Sequence, residues 1–180
     1  MARPTRNASR LLGWALATAC AGPGAVTAGA PPASVPGVGQ AFVDAHNRHR
    51  AKHCAPPLRW SSEVAESAQR WADGLARRGC ILDHSHGRYG ENLASGTPGY
   101  LGPEAVVEMW YGEARDYSYR RPGFSPATGH FTQVVWVRSA SLGCGFAPCD
   151  DSEVWVCQYD PPGNFLGAFE QNVLPESCHR

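Results

Sequence analysis

Six cysteines, Cys54, Cys80, Cys144, Cys149, Cys157 and Cys178, follow an N-terminal segment that reads as an export signal. No two of them form a CxxC pair, which makes a structural zinc ribbon a poor use for them. An even set of this kind in a short exported chain is a disulfide framework, and it restricts the fold to one whose loops can be tied together in an oxidising compartment. The seventh, Cys20, lies within the segment itself: Arg3, Arg6 and Arg10 precede an apolar run over residues 11–21 that is too short to cross a bilayer, and small residues at Val26 and Ala28 suit cleavage after Ala28. Residues 1–28 are read as a signal peptide, 29–39 as a disordered leader rich in Pro, Gly and Ala, 40–175 as the folded domain and 176–180 as a tail. A lipoprotein anchored through Cys20, after Ala17, Thr18 and Ala19, is the alternative. Either way the chain is expected outside the cytosol, extracellular or periplasmic, with no transmembrane segment.

At 180 residues there is room for one compact domain. Lys plus Arg equals Asp plus Glu at 16 each, so no basic field exists to draw in a nucleic-acid backbone. Glycine at 20 and proline at 15 point to a loop-rich fold in need of crosslinks or a metal.

Periodicity places helices early and strands late. Residues 42–53 have few breakers until Cys54-Ala55-Pro56-Pro57. Over 63–78, Val64, Ala68, Trp71 and Leu75 form an apolar stripe, with Glu63 and Glu66 at the start and Arg77, Arg78 and Gly79 at the end. A third helix opens at Pro103 and carries Val106, Trp110 and Glu113 on one face. Residues 142–146 and 154–159 read as strands, and a cysteine in each suggests that they are neighbours. The alternation over 131–137 fits a strand, although periodicity alone does not exclude a helical turn in so short a run.

Two histidines and two glutamates carry the most chemistry: His84 and Glu91 in HSHGRYGENL, Glu113 in WYGE and His130 in GHFTQVVW. Matched imidazoles and carboxylates are the material of a transition-metal site or an acid/base centre. A carboxylate beside buried Val and Trp, as Glu113 is read, needs a cation, a metal or hydrogen-bond donors; the simpler alternative is a glutamate at the edge of the stripe reaching water. His86 competes with His84. His46, His49 and His53 share one face of the first helix at metal-compatible spacing, but a packed or solvated role is preferred. Asn7-Ala-Ser is a sequon only on paper, since it lies in the export signal.

GHFTQVVWVRS and VCQYDPPGNF, with HSHGRYGENLA and AVVEMWYGEARDYSY, resemble in order the four motifs of the CAP superfamily of cysteine-rich secretory proteins, antigen 5 and plant pathogenesis-related 1 proteins, over residues 41–173. The stretch from Tyr111 through PGFSPATGHFTQVVW is similar to fungal sterol-exporting members, lacking the cysteine pair that plant members carry before GHYTQ. The resemblance implies an α+β fold, a three-layer α-β-α sandwich with a small antiparallel sheet, and a short helix at GHFTQVVW in place of the strand. It implies a cavity tetrad at His84, Glu91, Glu113 and His130, the spacing from Cys80 favouring His84 over His86. It also implies disulfides Cys80–Cys149 and Cys144–Cys157, leaving Cys54 and Cys178 to join the first interhelix loop to the tail.

Two imidazoles in such a tetrad suit zinc or another divalent cation, and the glutamates either ligate or fix the imidazole tautomers. The plainer alternative is that the four residues hydrogen-bond one another and hold the fold. Three functions compete. Family members that bind sterols, and relatives that carry fatty acids, imply a lipid-binding module; among the aromatics here Trp110 suits the core, and Tyr117, Tyr119 and Phe124 suit the lip of a ligand site. A hydrolase would draw Ser85 together with a histidine and a glutamate, but GxSxG and HExxH are both missing. The third class is a defence or interaction protein acting through its surface. The expectation is a non-enzymatic binder of sterols or other apolar lipids with a cation-responsive cavity.

Overall fold

Helix α2 (Ser62–Ala76) shows how local sequence builds this structure, a computed structural model that describes Met1 and residues 37–177. The Ser61 hydroxyl caps its N-terminus by accepting from the Val64 amide at 3.3 Å, and Glu63 complements the first turn. Val64, Ala68, Ala72 and Leu75 form its buried stripe, and Gly79 at φ 74° turns the chain away at its end. Ahead of it lie α1 (Val38–Lys52) and β1 (Arg59–Trp60). The first helix starts two residues before the boundary read at 40, immediately after Gly37 at φ 122°, a left-handed conformation suited to glycine. After α2 come β2 (Gly90–Gly96), α3 (Pro103–Tyr111), a 3-10 turn (Gly112–Asp116), α4 (Gly129–Val134), β3 (Ser141–Pro148), β4 (Glu153–Asp160) and α5 (Phe169–Asn172).

The sheet order is β1-β3-β4-β2. β4 is central and antiparallel to both β3 and β2, while β1 adds a two-residue parallel edge to β3. β2 escapes notice in the sequence because GENLASG has little strand propensity; its pairing with β4, Gly90↔Tyr159 through Gly96↔Glu153, makes it a strand.

Side-chain alternation along β4 divides the core into two layers. Trp155, Cys157 and Tyr159 join Phe42, Val106, Trp110, Phe131 and Leu142 on the side of α1, α3 and α4. Val154 and Val156 join Ala68, Ala72, Leu75 and Leu93 on the side of α2. The result is the three-layer α-β-α sandwich. β3 meets α2 without side chains in between: a Cβ at Gly143 would stand 2.1 Å from the Ala65 amide nitrogen, and one at Gly145 2.4 Å from Gln69 Cα.

Cys144 and Cys157 face each other in the β3–β4 register and are joined. Cys80 is joined to Cys149, closing a sequence separation of 69 between the end of α2 and the β3–β4 connection. Cys54 is disulfide-bonded, and the pairing read for it falls on Cys178, outside the described residues, as does the reading of residues 2–36 as signal and leader.

Arg50, fully buried on α1, ties several segments together. Its Nε and Nη2 donate to the Pro56 carbonyl at 2.9 and 2.7 Å, Nη1 to those of Val134 and Trp136 at 3.0 and 2.8 Å, and Nη2 to that of Ser139 at 2.9 Å. Burial pulls its guanidinium down to about 10, still protonated at neutral pH. The Val134 and Trp136 carbonyls lie at the C-terminal end of α4, where the helix leaves acceptors unpaired. Among the described residues no helix is long and apolar enough to cross a membrane.

Candidate functional site

Two His–Glu pairs flank the start of β2. In the first, His84 Nδ1 lies 2.8 Å from Glu91 Oε1, which also accepts from the Ser85 amide at 2.9 Å, while Glu91 Oε2 accepts from Gln158 Nε2 at 2.9 Å. Burial alone would raise the Glu91 pKa; hydrogen bonds from His84, Ser85 and Gln158 outweigh it and hold the carboxyl below its ordinary value. The bond to Glu91 in turn raises the His84 pKa, against partial burial. Both His84 and His86 are exposed, and the hydrogen bond to Glu91 is made by His84.

In the second pair, His130 Nδ1 lies 2.6 Å from Glu113 Oε1. Glu113 Oε2 accepts the His130 and Phe131 amides at 2.9 and 3.1 Å, which makes Glu113 an anionic cap on the first turn of α4. Glu113 is carried by the 3-10 turn and not by α3, a correction to the helical reading: the backbone tightens after Tyr111 and aims the carboxylate at α4. These amide donors and His130 are the partners that its semi-buried position demands. The His130 ring stacks near-parallel on Trp110, centroids 6.2 Å apart.

β2 connects the pairs, since Glu91 belongs to one and its neighbour Asn92 donates to the His130 carbonyl at 3.1 Å. Each imidazole has Nδ1 directed at a carboxylate, leaving Nε2 for a ligand. Among the described residues no three or more His, Cys, Asp and Glu side chains gather as a metal-holding group, so the four come together as two pairs. Ser85 Oγ accepts from Gly87 N at 3.4 Å and from Gln158 Nε2 at 3.5 Å, and none of its hydrogen bonds is to an imidazole.

The aromatic lip divides. Tyr117 is a core residue at 9 % exposure, its ring edge-on to Tyr119 at 5.0 Å and tilted against Phe131 at 5.5 Å. Tyr119 and Phe124 are 40 % and 53 % exposed. Trp110 is buried and donates its Nε1 hydrogen to the Leu93 carbonyl, as its core assignment requires.

The α1 histidines each have their own partners. His46 donates from Nδ1 to the Phe42 carbonyl at 2.8 Å and faces the Tyr159 hydroxyl through Nε2 at 2.8 Å, and burial lowers its pKa to about 3. His49 meets Glu108, and His53 meets the Leu174 carbonyl and Tyr111 hydroxyl. Gln158 is the site residue that sequence reasoning missed. Its signals were its place in the VCQYDPPGNF motif and its polarity amid an otherwise apolar strand, VWVCQY.

Residues 43–159 match the CAP family, described as the Cysteine-rich secretory protein family. The chain belongs to this family. Relatives include Protein PRY2 of Saccharomyces cerevisiae, 42% identical over 137 residues, which are 74% of this chain and 40% of PRY2. Pathogenesis-related protein 1C of Nicotiana tabacum is 44% identical over 131 residues, 71% of this chain and 77% of its own. The chain thus spans well under half of PRY2 but most of the tobacco CAP protein. Among solved structures, NaASP2 with Zn2+ superposes with a TM-score of 0.63 at 23% identity, covering 78% of this chain and 86% of that one, a likeness of CAP fold.

Proposed function

We propose that this CAP protein is exported and binds sterols or other apolar lipids without chemical conversion, the ligand entering beside Tyr119 and Phe124. The observation that carries the reading is the exposure of those two rings on a loop whose base, Tyr117, is anchored against Phe131 in the core. Large aromatic faces left in water next to a packed base favour a flat apolar ligand, whose burial yields about 25 cal/mol per Å² of apolar surface removed from water. Purified protein incubated with radiolabelled cholesterol should bind saturably. A Tyr119→Ala/Phe124→Ala double variant, both sites being exposed, should stay folded and lose at least about tenfold in affinity, the scale of burying one aromatic side chain. No saturable binding of any sterol or fatty acid would turn the reading toward the defence or interaction class.

The same proposal gives His84 and His130 to a divalent cation such as zinc. The donor chemistry fits: carboxylates on both Nδ1 atoms favour the tautomer whose Nε2 lone pair is free. Two nitrogens make a weak, open site completed by water. Calorimetric titration with zinc should show a site that His84→Ala or His130→Ala removes, and an isotherm unchanged in both variants would end this part of the proposal.

A further inference from the structure

Between α2 and the loop that leads into β2 lies a cleft of about 380 Å³ that neither the lipid lip nor the His130–Glu113 pair enters. It is lined by Tyr89 and Trp71, whose rings carry the Arg88 and Arg78 guanidinium groups at 4.6 and 4.9 Å, by Ser67, Ser85, Arg70 and Gln158, and by Glu63, which is paired with Arg88. Its size falls at the small end of the range of about 300–1,000 Å³ typical of ligand clefts.

Two features define what would fill it. Gln158 is only 2 % exposed, and its Nε2 is spent on Glu91, yet its Oε1 is buried with no hydrogen-bond partner among the described residues. A buried carbonyl oxygen in that state asks for a donor. The Arg70 side chain makes no ion pair and no hydrogen bond to a described residue, whereas the other lining cation, Arg88, is committed to Glu63 and to the Tyr89 hydroxyl. One unpaired planar cation with a fork of donors suits one carboxylate.

The complement is a ring with an apolar face, one carboxylate and hydroxyls that both donate and accept. We propose that the cleft binds a sugar acid of the uronate type. The carboxylate lies on Arg70, one ring hydroxyl donates to Gln158 Oε1 and accepts from a serine hydroxyl, and the C–H face rests on Tyr89 and Trp71. A neutral apolar ligand would leave the Gln158 oxygen unpaired, and a phosphate dianion would meet Arg70 but bring no donor to Gln158. The cleft lies apart from the lipid lip but shares Gln158 and Ser85 with the hydrogen bonds that hold Glu91, so it adjoins the His84–Glu91 pair.

The test is a titration of ¹⁵N-labelled protein with glucuronate, with glucose and inorganic phosphate as comparators. Glucuronate should shift the Gln158 side-chain amide and the Trp71 indole resonances saturably, with glucose about tenfold weaker, the scale of one charge-assisted contact. Arg70→Gln, at an exposed position that leaves the thermal midpoint in place, should bring glucuronate down to the glucose level. Absence of saturable shifts with glucuronate, phosphate binding as tightly as glucuronate, or an Arg70→Gln variant that binds glucuronate undiminished would each overturn the proposal.

Discussion

Replacing Arg50 by methionine tests how the α1 side of the sandwich is held. The substitution keeps the length of an unbranched side chain and removes every donor. Four carbonyls lose a partner; that of Trp136 keeps the Ser139 amide and that of Pro56 is at an exposed residue, while those of Val134 and Ser139 are orphaned in the interior at about 1–3 kcal/mol each. Part of this is offset because the charge itself no longer has to be desolvated, and Arg50 receives no carboxylate that would be left behind. The net loss is about 4 kcal/mol, a large share of the roughly 5–15 kcal/mol that holds a domain together. Arg50→Lys keeps the charge but replaces a planar fork by three donors on one nitrogen, which cannot span four carbonyls in different directions, and should cost about 2–3 kcal/mol. Urea denaturation followed by tryptophan fluorescence, with disulfides intact, should show the midpoint falling while the slope stays constant. A loss below about 1 kcal/mol for Arg50→Met would show that these carbonyls find other partners and refute the reasoning.

His46 makes stability depend on acid. Its folded pKa of about 3 lies below the ordinary 6.5, so its contribution is complete above pH 6.5 and declines as pH falls toward 3. The slope is up to about 1.4 kcal/mol per pH unit, and urea midpoints measured between pH 7 and 4 should fall less steeply for His46→Gln than for the unaltered protein. Gly145→Ala should destabilise by at least about 2 kcal/mol, because its methyl would meet the Gln69 backbone and not a side chain able to swing aside; a thermal midpoint within a degree of the parent would contradict that contact.

How far the sequence disclosed this protein depends on whether the decisive interaction was local. α2 was legible because its acidic first turn, stripe and terminating glycine lie within the segment, and β3 and β4 because their turn residues and paired cysteines bracket them. β2 was not, because GENLASG becomes a strand only through a partner about 60 residues onward, and neither was the 3-10 turn at Glu113. The tetrad's four positions came from motifs, but their division into His84–Glu91 and His130–Glu113 depends on where loops place side chains. Tyr117, Tyr119 and Phe124 looked alike on paper; contact with Phe131 sends the first to the core and leaves the others in water. Arg50 lies in none of the four motifs, and Gln158 lies in VCQYDPPGNF with no role attached to it, since a buried polar residue declares itself only through distant partners.

Both disulfides among Cys80, Cys144, Cys149 and Cys157 end on the β3–β4 hairpin, and that places a clock on assembly. At roughly 5–20 residues per second of synthesis, Cys80 exists for about 3–14 seconds before Cys149 follows it, given their separation of 69. Until Cys144 follows near the end of that interval, Cys54 is the only other cysteine of the folded region already made, so an early oxidant would join Cys54 to Cys80. Helices α1 to α4 are complete before the hairpin that crosslinks the fold, and correct pairing requires that oxidation lag behind translation or that the first bond be exchanged once the last strands arrive.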